Sequence, residues 1–460
     1  MIGLPPFLSF SENERTLQLK ILMIILRTVK NISSLNIAAS VLLFLAAILA
    51  AVVANSSLSP VYQDFLLQEL HLRIGNFNLF SHGGHPLKMI EFINDCLMTV
   101  FFLAVGLEIK RELLVGELSS VRKAALPFIA ACGGMVVPVV IYALSVASGT
   151  PETRGMAIPM ATDIAFSLGV LSLLGKRVPL SLKIFLTAFA VVDDIGGILV
   201  IALFYSADVA YGYLIAAAVL YVFLYYMGKF GVTQKIFFLF FGVIIWYLFL
   251  QSGIHSTISG VILAFVIPAR PRLDAGKYIE RIRDIIGEFP VSKSDNIVLT
   301  NAQIATLKQV ERASDYVISP LQSLEDNLHG AVSFVILPLF AFANAGVVFS
   351  GSGSIVGDVS IAVAAGLLLG KFLGIYLFTW LAVKSGVALM PAGMNWKNIA
   401  GVSLLGGIGF TVSLFIANLS FADEYPELLN QANFGVLVGT VLAGVLGYVV
   451  LNWVLPEREK

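Results

Sequence analysis

The stretch Ile184-Phe-Leu-Thr-Ala-Phe-Ala-Val-Val-Asp-Asp-Ile-Gly-Gly-Ile-Leu-Val-Ile-Ala-Leu-Phe-Tyr205 decides the fold. Its length suits a bilayer-crossing helix, about 20 residues, yet Asp193 and Asp194 stand at its middle. Each Asp at the centre of such a helix costs roughly 2.5–3.5 kcal/mol on insertion scales. Two in a row are hard to explain as packing. They require a partner: a cation, a proton or a buried Lys.

Composition places the rest of the chain in the same solvent. Charged residues make up 13% of it, against about 25% in soluble domains, and mean hydropathy is +0.90. A chain of 460 residues holds about a dozen spanning helices with short connections. Net charge is zero, so no nucleic-acid footprint is implied. Cys96 and Cys132 both fall in apolar spans and read as buried free thiols. The start, with Glu12, Glu14 and a short apolar core over 21–26, does not read as a cleavable signal. Residues 15–33 carry Arg15, Lys20, Arg27 and Lys30. They read as a basic amphipathic part of a cytoplasmic N-terminal segment, 1–34, lying on a membrane face.

Twelve apolar spans are expected within 35–455, leaving a tail at 456–460. They cover about 35–53, 89–113, 124–145, 155–174, 184–205, 211–227, 235–250, 254–267, 329–349, 361–383, 399–419 and 434–454. Positive charge orients them. Loops with Lys110, Arg111, Arg122, Lys123, Lys176, Arg177, Lys229 and Lys397 share one side with the long 270–318 connection, and the opposite side has only Arg73, Lys88 and Arg154. Both termini are therefore expected in the cytoplasm. Residues 55–87, on the other side, are too long for a simple turn. Within them, 71–80 alternates on both sides of Gly75-Asn76, the pattern of a hairpin. Such a hairpin either pairs with a second copy of the chain or forms an external cap.

Two spans are broken in the middle. Pro159 stands four residues before Asp163 in Ile158-Pro-Met-Ala-Thr-Asp-Ile164, and it removes a backbone donor and clashes with the preceding turn. Gly406, Gly407 and Gly409 precede Phe410-Thr411, and each weakens a helix by roughly 1 kcal/mol relative to Ala. Gly and Pro also produce ordinary kinks in spanning helices. Two breaks together, with Asp163 beside one, favour a polar cavity, because unwound backbone survives at membrane depth only where protein or water covers it. A break exposes dipole ends: positive ends attract Asp163 and negative ends attract a cation. Lys371 is the one Lys deep in an apolar span, with Asp193, Asp194 or the break itself as candidate partners.

Adjacent helical residues point about 100° apart, so Asp193 and Asp194 cannot both face one point. One can hold a transported cation while the other pairs with Lys371. A buried carboxylate beside another can bind either a proton or a hard cation, and carboxylate, hydroxyl and carbonyl oxygens suit hard cations. Competition between proton and cation at one site, reachable from either side in turn, is sufficient for exchange. Glu108, Arg111 and Glu112 share a helical face near the cytoplasmic end, either as a surface ion-pair cluster or as a funnel that attracts cations. Asp95 lies near the opposite end. Histidine is the side chain suited to switching charge near neutral pH, which makes His255 and His329 candidates, although isolated histidines more often only hydrogen-bond. His82-Gly-Gly-His85 lacks a third metal ligand, and Asn418 matches a glycosylation sequon too common to use.

Ala161-Thr-Asp-Ile-Ala-Phe166, Val192-Asp-Asp-Ile-Gly196, Ile93-Asn-Asp95, Val105-Gly-Leu-Glu-Ile-Lys-Arg-Glu112, Leu339-Phe-Ala-Phe-Ala-Asn-Ala-Gly346 and Gly406-Gly-Ile-Gly-Phe-Thr411 together resemble the bacterial NhaA sodium–proton antiporters, over about residues 36–455. The resemblance implies an all-α polytopic fold of twelve transmembrane helices with inverted repeats and two interrupted, crossing helices, in the bacterial inner membrane. It implies Asp194 as the main Na+ or Li+ ligand, and Asp193 either paired with Lys371 or sharing the proton and ion load. Thr162 and Asp163 would lie at the crossing, with Asp163 and Lys371 offsetting the helix ends. Glu108, Arg111, Glu112 and Glu325 would form a cytoplasmic pH-response region. Transport would be electrogenic, without a cofactor, in homodimers joined through 71–80. The chain departs from the family in its longer 270–318 connection, its N-terminal 35 residues, and Asp326 after Glu325 where a His is familiar. Two other classes fit parts of the pattern. An intramembrane aspartyl protease would use Asp163 against Asp193 but leaves Lys371 without a role. A symporter of an organic solute would use the same carboxylates.

Overall fold

The computed structural model of the chain describes residues 37–71, 73–74, 77–78, 80–82, 85–205, 209–270, 275–287, 300–349, 354–422 and 424–456. The amphipathic segment expected at 15–33 and most of the tail lie outside the described residues.

Among the described residues, eight helices are long and apolar enough to cross a bilayer: Ile37–Ala54, Met89–Leu114, Val121–Ser145, Leu180–Phe204, Tyr211–Lys229, Pro320–Asn344, Asp358–Lys384 and Pro426–Val454. Two further pairs, Pro151–Met160 with Ile164–Leu173 and Trp396–Leu405 with Phe410–Phe421, bend by 45° and 44° at a short break, which brings the count to ten if each pair is one span. Lys235–Leu250 and Thr257–Val266 are apolar but shorter. Each of the twelve apolar stretches thus corresponds to a helix or a broken pair, and ten of them meet the length and composition of a crossing. Helices dominate because a segment in hydrocarbon must satisfy every backbone group internally.

Several helices begin earlier than their apolar runs. Pro320–Asn344 and Pro426–Val454 start well before residues 329 and 434. Each has Pro in its first turn, and Ser319 caps the former by accepting from the Gln322 amide. The fixed φ of Pro suits that position, and its missing N–H is one of the donors left over there in any case. The polar first turns of these helices hide them from an apolar count.

Leu180–Phe204 is central: 61% of its most apolar stretch is buried, against 17% for the peripheral Tyr211–Lys229. Val121–Ser145 and Asp358–Lys384 make a close helix contact near it, backbone to backbone at Gly133 and Gly374. A Cβ on either glycine would strike the other's carbonyl oxygen. In lipid, where apolar side chains gain little by leaving one apolar phase for another, such close approach is the main source of helix association.

The connection after Ile37–Ala54 contains a helix, Ser59–Leu67, and two small antiparallel ribbons. Arg73 pairs with Asn78 and Ile74 with Phe77; Ser81 pairs with Pro86 and His82 with His85. Phe80 and Leu87 pack on Trp246 and Leu250, and Gln251 donates to the Ser81 carbonyl, so the connection is seated on the end of Lys235–Leu250. Within 270–318, helices Ala275–Gly287 and Asn301–Val317 pack on each other.

Candidate ion-binding site

The two breaks lie against each other, and the backbone groups that a helix end leaves unpaired are satisfied across the gap. Asp163 is the N-cap of Ile164–Leu173, where its Oδ1 accepts from the Phe166 amide at 2.9 Å. Its Oδ2 accepts from the Thr411 amide at 3.2 Å and the Thr411 hydroxyl at 2.6 Å, in the first turn of Phe410–Phe421. One carboxylate therefore caps two helix N-termini, the positive ends of both dipoles. The opposite ends are closed too. The Thr162 hydroxyl donates to the Gly406 carbonyl at 2.8 Å, the Ser167 hydroxyl to Leu405 at 3.0 Å, and the Asp163 amide to Ile408 at 2.7 Å. The Ser413 hydroxyl donates to Ile158 at 2.7 Å.

The glycines of the second break permit this approach. A Cβ on Gly409 would lie 2.9 Å from the Ala161 carbonyl oxygen and 2.7 Å from Leu367 Cδ2, and one on Gly407 would collide with the Leu367 carbonyl. Pro159 packs on Gly366, in the π-helical turn Gly366–Gly370 that leads into Lys371. Such turns are one-residue distortions of an α-helix that gather at functional positions.

Lys371 Nζ lies 2.6 Å from Asp193 Oδ2, and neither side chain is exposed. Of the partners open to Lys371 in sequence, the geometry selects Asp193, and the carbonyl ends at the break are met by Thr162 and Ser167 instead. Asp193 Oδ1 is buried and receives no well-aligned hydrogen bond among the described residues, with Thr162 adjoining it. Asp194, one residue on, points elsewhere. It is 7% exposed, and among the described residues its carboxylate has no hydrogen bond or ion pair. The charges acting on it are those of Asp193, Glu108, Asp163 and Lys371. The bare oxygens of Asp194 are suited to a proton or a hard cation.

On the side of Glu108, Arg111 bridges two helices. Its Nη2 lies 3.1 Å from Glu112 Oε1 and its Nε 3.0 Å from Glu325 Oε1. The Nε contact is an ion pair without hydrogen-bond alignment. Glu108 feels the charges of Arg111, Glu325 and Glu112, so these four residues form one group. Asp95 lies apart, 3.6 Å from His255 Nε2 and 3.5 Å from the Ser256 hydroxyl.

Two features escaped sequence reasoning. Thr411, Ser167 and Ser413 carry the crossing although only their positions beside the breaks marked them. A cluster of asparagines also joins four spans: Asn344 and Asn94 exchange amide hydrogen bonds at 2.8 and 3.2 Å, Asn418 donates to Asn344 Oδ1 at 2.8 Å, and Asn433 donates to the Asn344 carbonyl at 3.0 Å. The available signal was their recurrence near the ends of apolar spans, where a buried unpaired amide is still costly; Asn418 was passed over as a sequon.

A polytopic membrane protein whose buried carboxylates converge on two broken helices has the form of an ion-coupled secondary transporter. A family model described as Na+/H+ antiporter 1 matches residues 30–451. The chain is 74% identical over 438 residues to the Na(+)/H(+) antiporter NhaA of Bacteroides thetaiotaomicron, covering 95% of this chain and all of the relative. It is 75% identical over 437 residues to that of Bacteroides fragilis, with the same coverage. It is 47% identical over 437 residues to that of Porphyromonas gingivalis, covering 94% and 96% of the two chains. The chain belongs to the Na+/H+ antiporter 1 family, ion antiporters and not catalytic enzymes. It is a multi-pass membrane protein, and Na+ and H+ are the family's substrates. Because 438 of the 460 residues match the first relative, at least part of the long 270–318 connection is shared with it.

Proposed function

We propose that the chain exchanges Na+ or Li+ for H+ electrogenically by alternating access, with Asp194 as the principal ligand. The observation that carries this reading is a buried carboxylate with no partner among the described residues, beside one already held by Lys371. A buried anion without a counter-charge is costly, and a proton or an alkali ion removes that cost. Asp193 assists through its unmatched Oδ1, and Thr162 lies close enough to share the ion. Asp163 holds the crossing together, and Lys371 offsets Asp193. No cofactor enters the cycle.

In the same reading the family's inverted repeats and twelve crossings apply here, with the two short helices completing the count and both termini in the cytoplasm. The group of Glu108, Arg111, Glu112 and Glu325 responds to cytoplasmic pH, and Asp326 sets its range apart from relatives with His there. Residues 71–80 join two copies into a homodimer on the outer face. In everted vesicles, addition of Na+ should dequench a ΔpH dye with the wild-type chain and leave it unchanged with Asp194→Asn at equal membrane abundance. An undiminished signal from Asp194→Asn would remove the carboxylate from its assigned role.

A further inference from the structure

A crevice of about 1090 Å³, whose lining does not include Asp194, lies in the same bundle. Buried Met160 and half-buried Met135 and Gly196 line it together with Val140, Leu199 and Phe204. The last three are exposed to the surroundings of the bundle, so the crevice opens sideways into the bilayer. Its lining also carries charge. Arg154 Nη1 and Glu424 Oε2 lie 2.9 Å apart there, both about half exposed. The two residues stand near span ends, Arg154 in Pro151–Met160 and Glu424 between Phe410–Phe421 and Pro426–Val454, with Tyr205 just past Leu180–Phe204. That places the pair at headgroup level.

The dimensions match one lipid leaflet. From Phe204 back to Gly196 the helix rises about 12 Å, and a single leaflet contributes about 15 Å of hydrocarbon. The charges match one headgroup type. Arg154 has five N–H donors, of which one is used by Glu424 among the described residues, and its guanidinium rests over the Tyr425 ring at 5.3 Å. Its backbone is fixed by the Tyr205 hydroxyl, which donates to the Arg154 carbonyl at 2.8 Å. A half-exposed ion pair is worth little by itself, so it can open to a ligand that answers both charges. A phosphate on Arg154 and a primary ammonium on Glu424 would do so. An anionic headgroup answers only the first, and a choline lacks the N–H donors for the second.

We propose that this crevice is a binding site for phosphatidylethanolamine, with one acyl chain along Leu199 and Val140, its phosphate on Arg154 and its ammonium on Glu424. The test is a titration of the detergent-purified chain with phosphatidylethanolamine, phosphatidylcholine and phosphatidylglycerol of identical acyl chains, read by native mass spectrometry. Phosphatidylethanolamine should bind most tightly. Arg154→Ala with Glu424→Ala should weaken it roughly tenfold, about 1.4 kcal/mol, and bring the three lipids level. Val140→Trp, which fills the crevice and leaves both charges, should remove the tightest-bound copy of any of them. Equal retention of the three lipids by the wild-type chain would overturn the proposal. So would phosphatidylethanolamine binding that neither variant alters, the behaviour of annular lipid only.

Discussion

Asp193 and Asp194 are neighbours in sequence and differ in their polar partners. The 100° turn between adjacent helical residues sends one carboxylate to Lys371 and leaves the other bare. The adjacency and the depth of the pair were legible in the sequence, and so was the need for a partner. Which Asp takes Lys371 was not, because that choice depends on the rotation of Asp358–Lys384 about its axis, set by the Gly133–Gly374 contact and the π-helical turn before Lys371. A buried ion pair is dear to break from one side only, since an uncompensated charge remains. Lys371→Ala should therefore lower stability by roughly 3–5 kcal/mol, read as a fall in thermal midpoint of the purified protein. Adding Asp193→Asn to Lys371→Ala should restore much of it. A single variant as stable as the wild type would show that the pair does not hold the fold.

The broken pairs carry the next level of organisation. Pro159 so close to Asp163 and the three glycines of Gly406–Gly409 announced both breaks, whereas Pro alone does not mark one: Pro127 and Pro138 lie inside the continuous helix Val121–Ser145. Their mutual satisfaction was not legible. Asp163 caps a helix 248 residues away through Thr411, and no periodicity reports a contact of that range. Gly409 is required by space, with the Ala161 carbonyl and Leu367 already in contact with where its Cβ would be. Gly409→Ala should cost roughly 1–3 kcal/mol as overpacking and reduce exchange at the same time, because the two breaks are pushed apart. Unchanged stability and exchange in that variant would mean that the contact at the break is slack.

At the level of the molecule, composition alone placed the chain in a bilayer, and the apolar runs located each helix that is long and apolar enough to cross one among the described residues. They did not fix the ends. Polar first turns such as that of Pro320–Asn344 carry Glu325 inward to Arg111, and an apolar count stops short of them. The ribbon flanking Gly75 and Asn76 was readable from its alternation. If it joins two copies, deleting 73–78 should leave a monomer on size-exclusion chromatography that still exchanges ions; a dimer after deletion would place the interface elsewhere. The central claim, that protons and Na+ take turns at Asp194, is tested most directly by the apparent KM for Na+ as a function of pH. Protons compete for the same oxygens, so lowering pH should raise KM, approaching tenfold per unit once the site is mostly protonated and the two ligands exclude each other. A KM that stays constant while the maximal rate alone changes with pH would contradict a shared site.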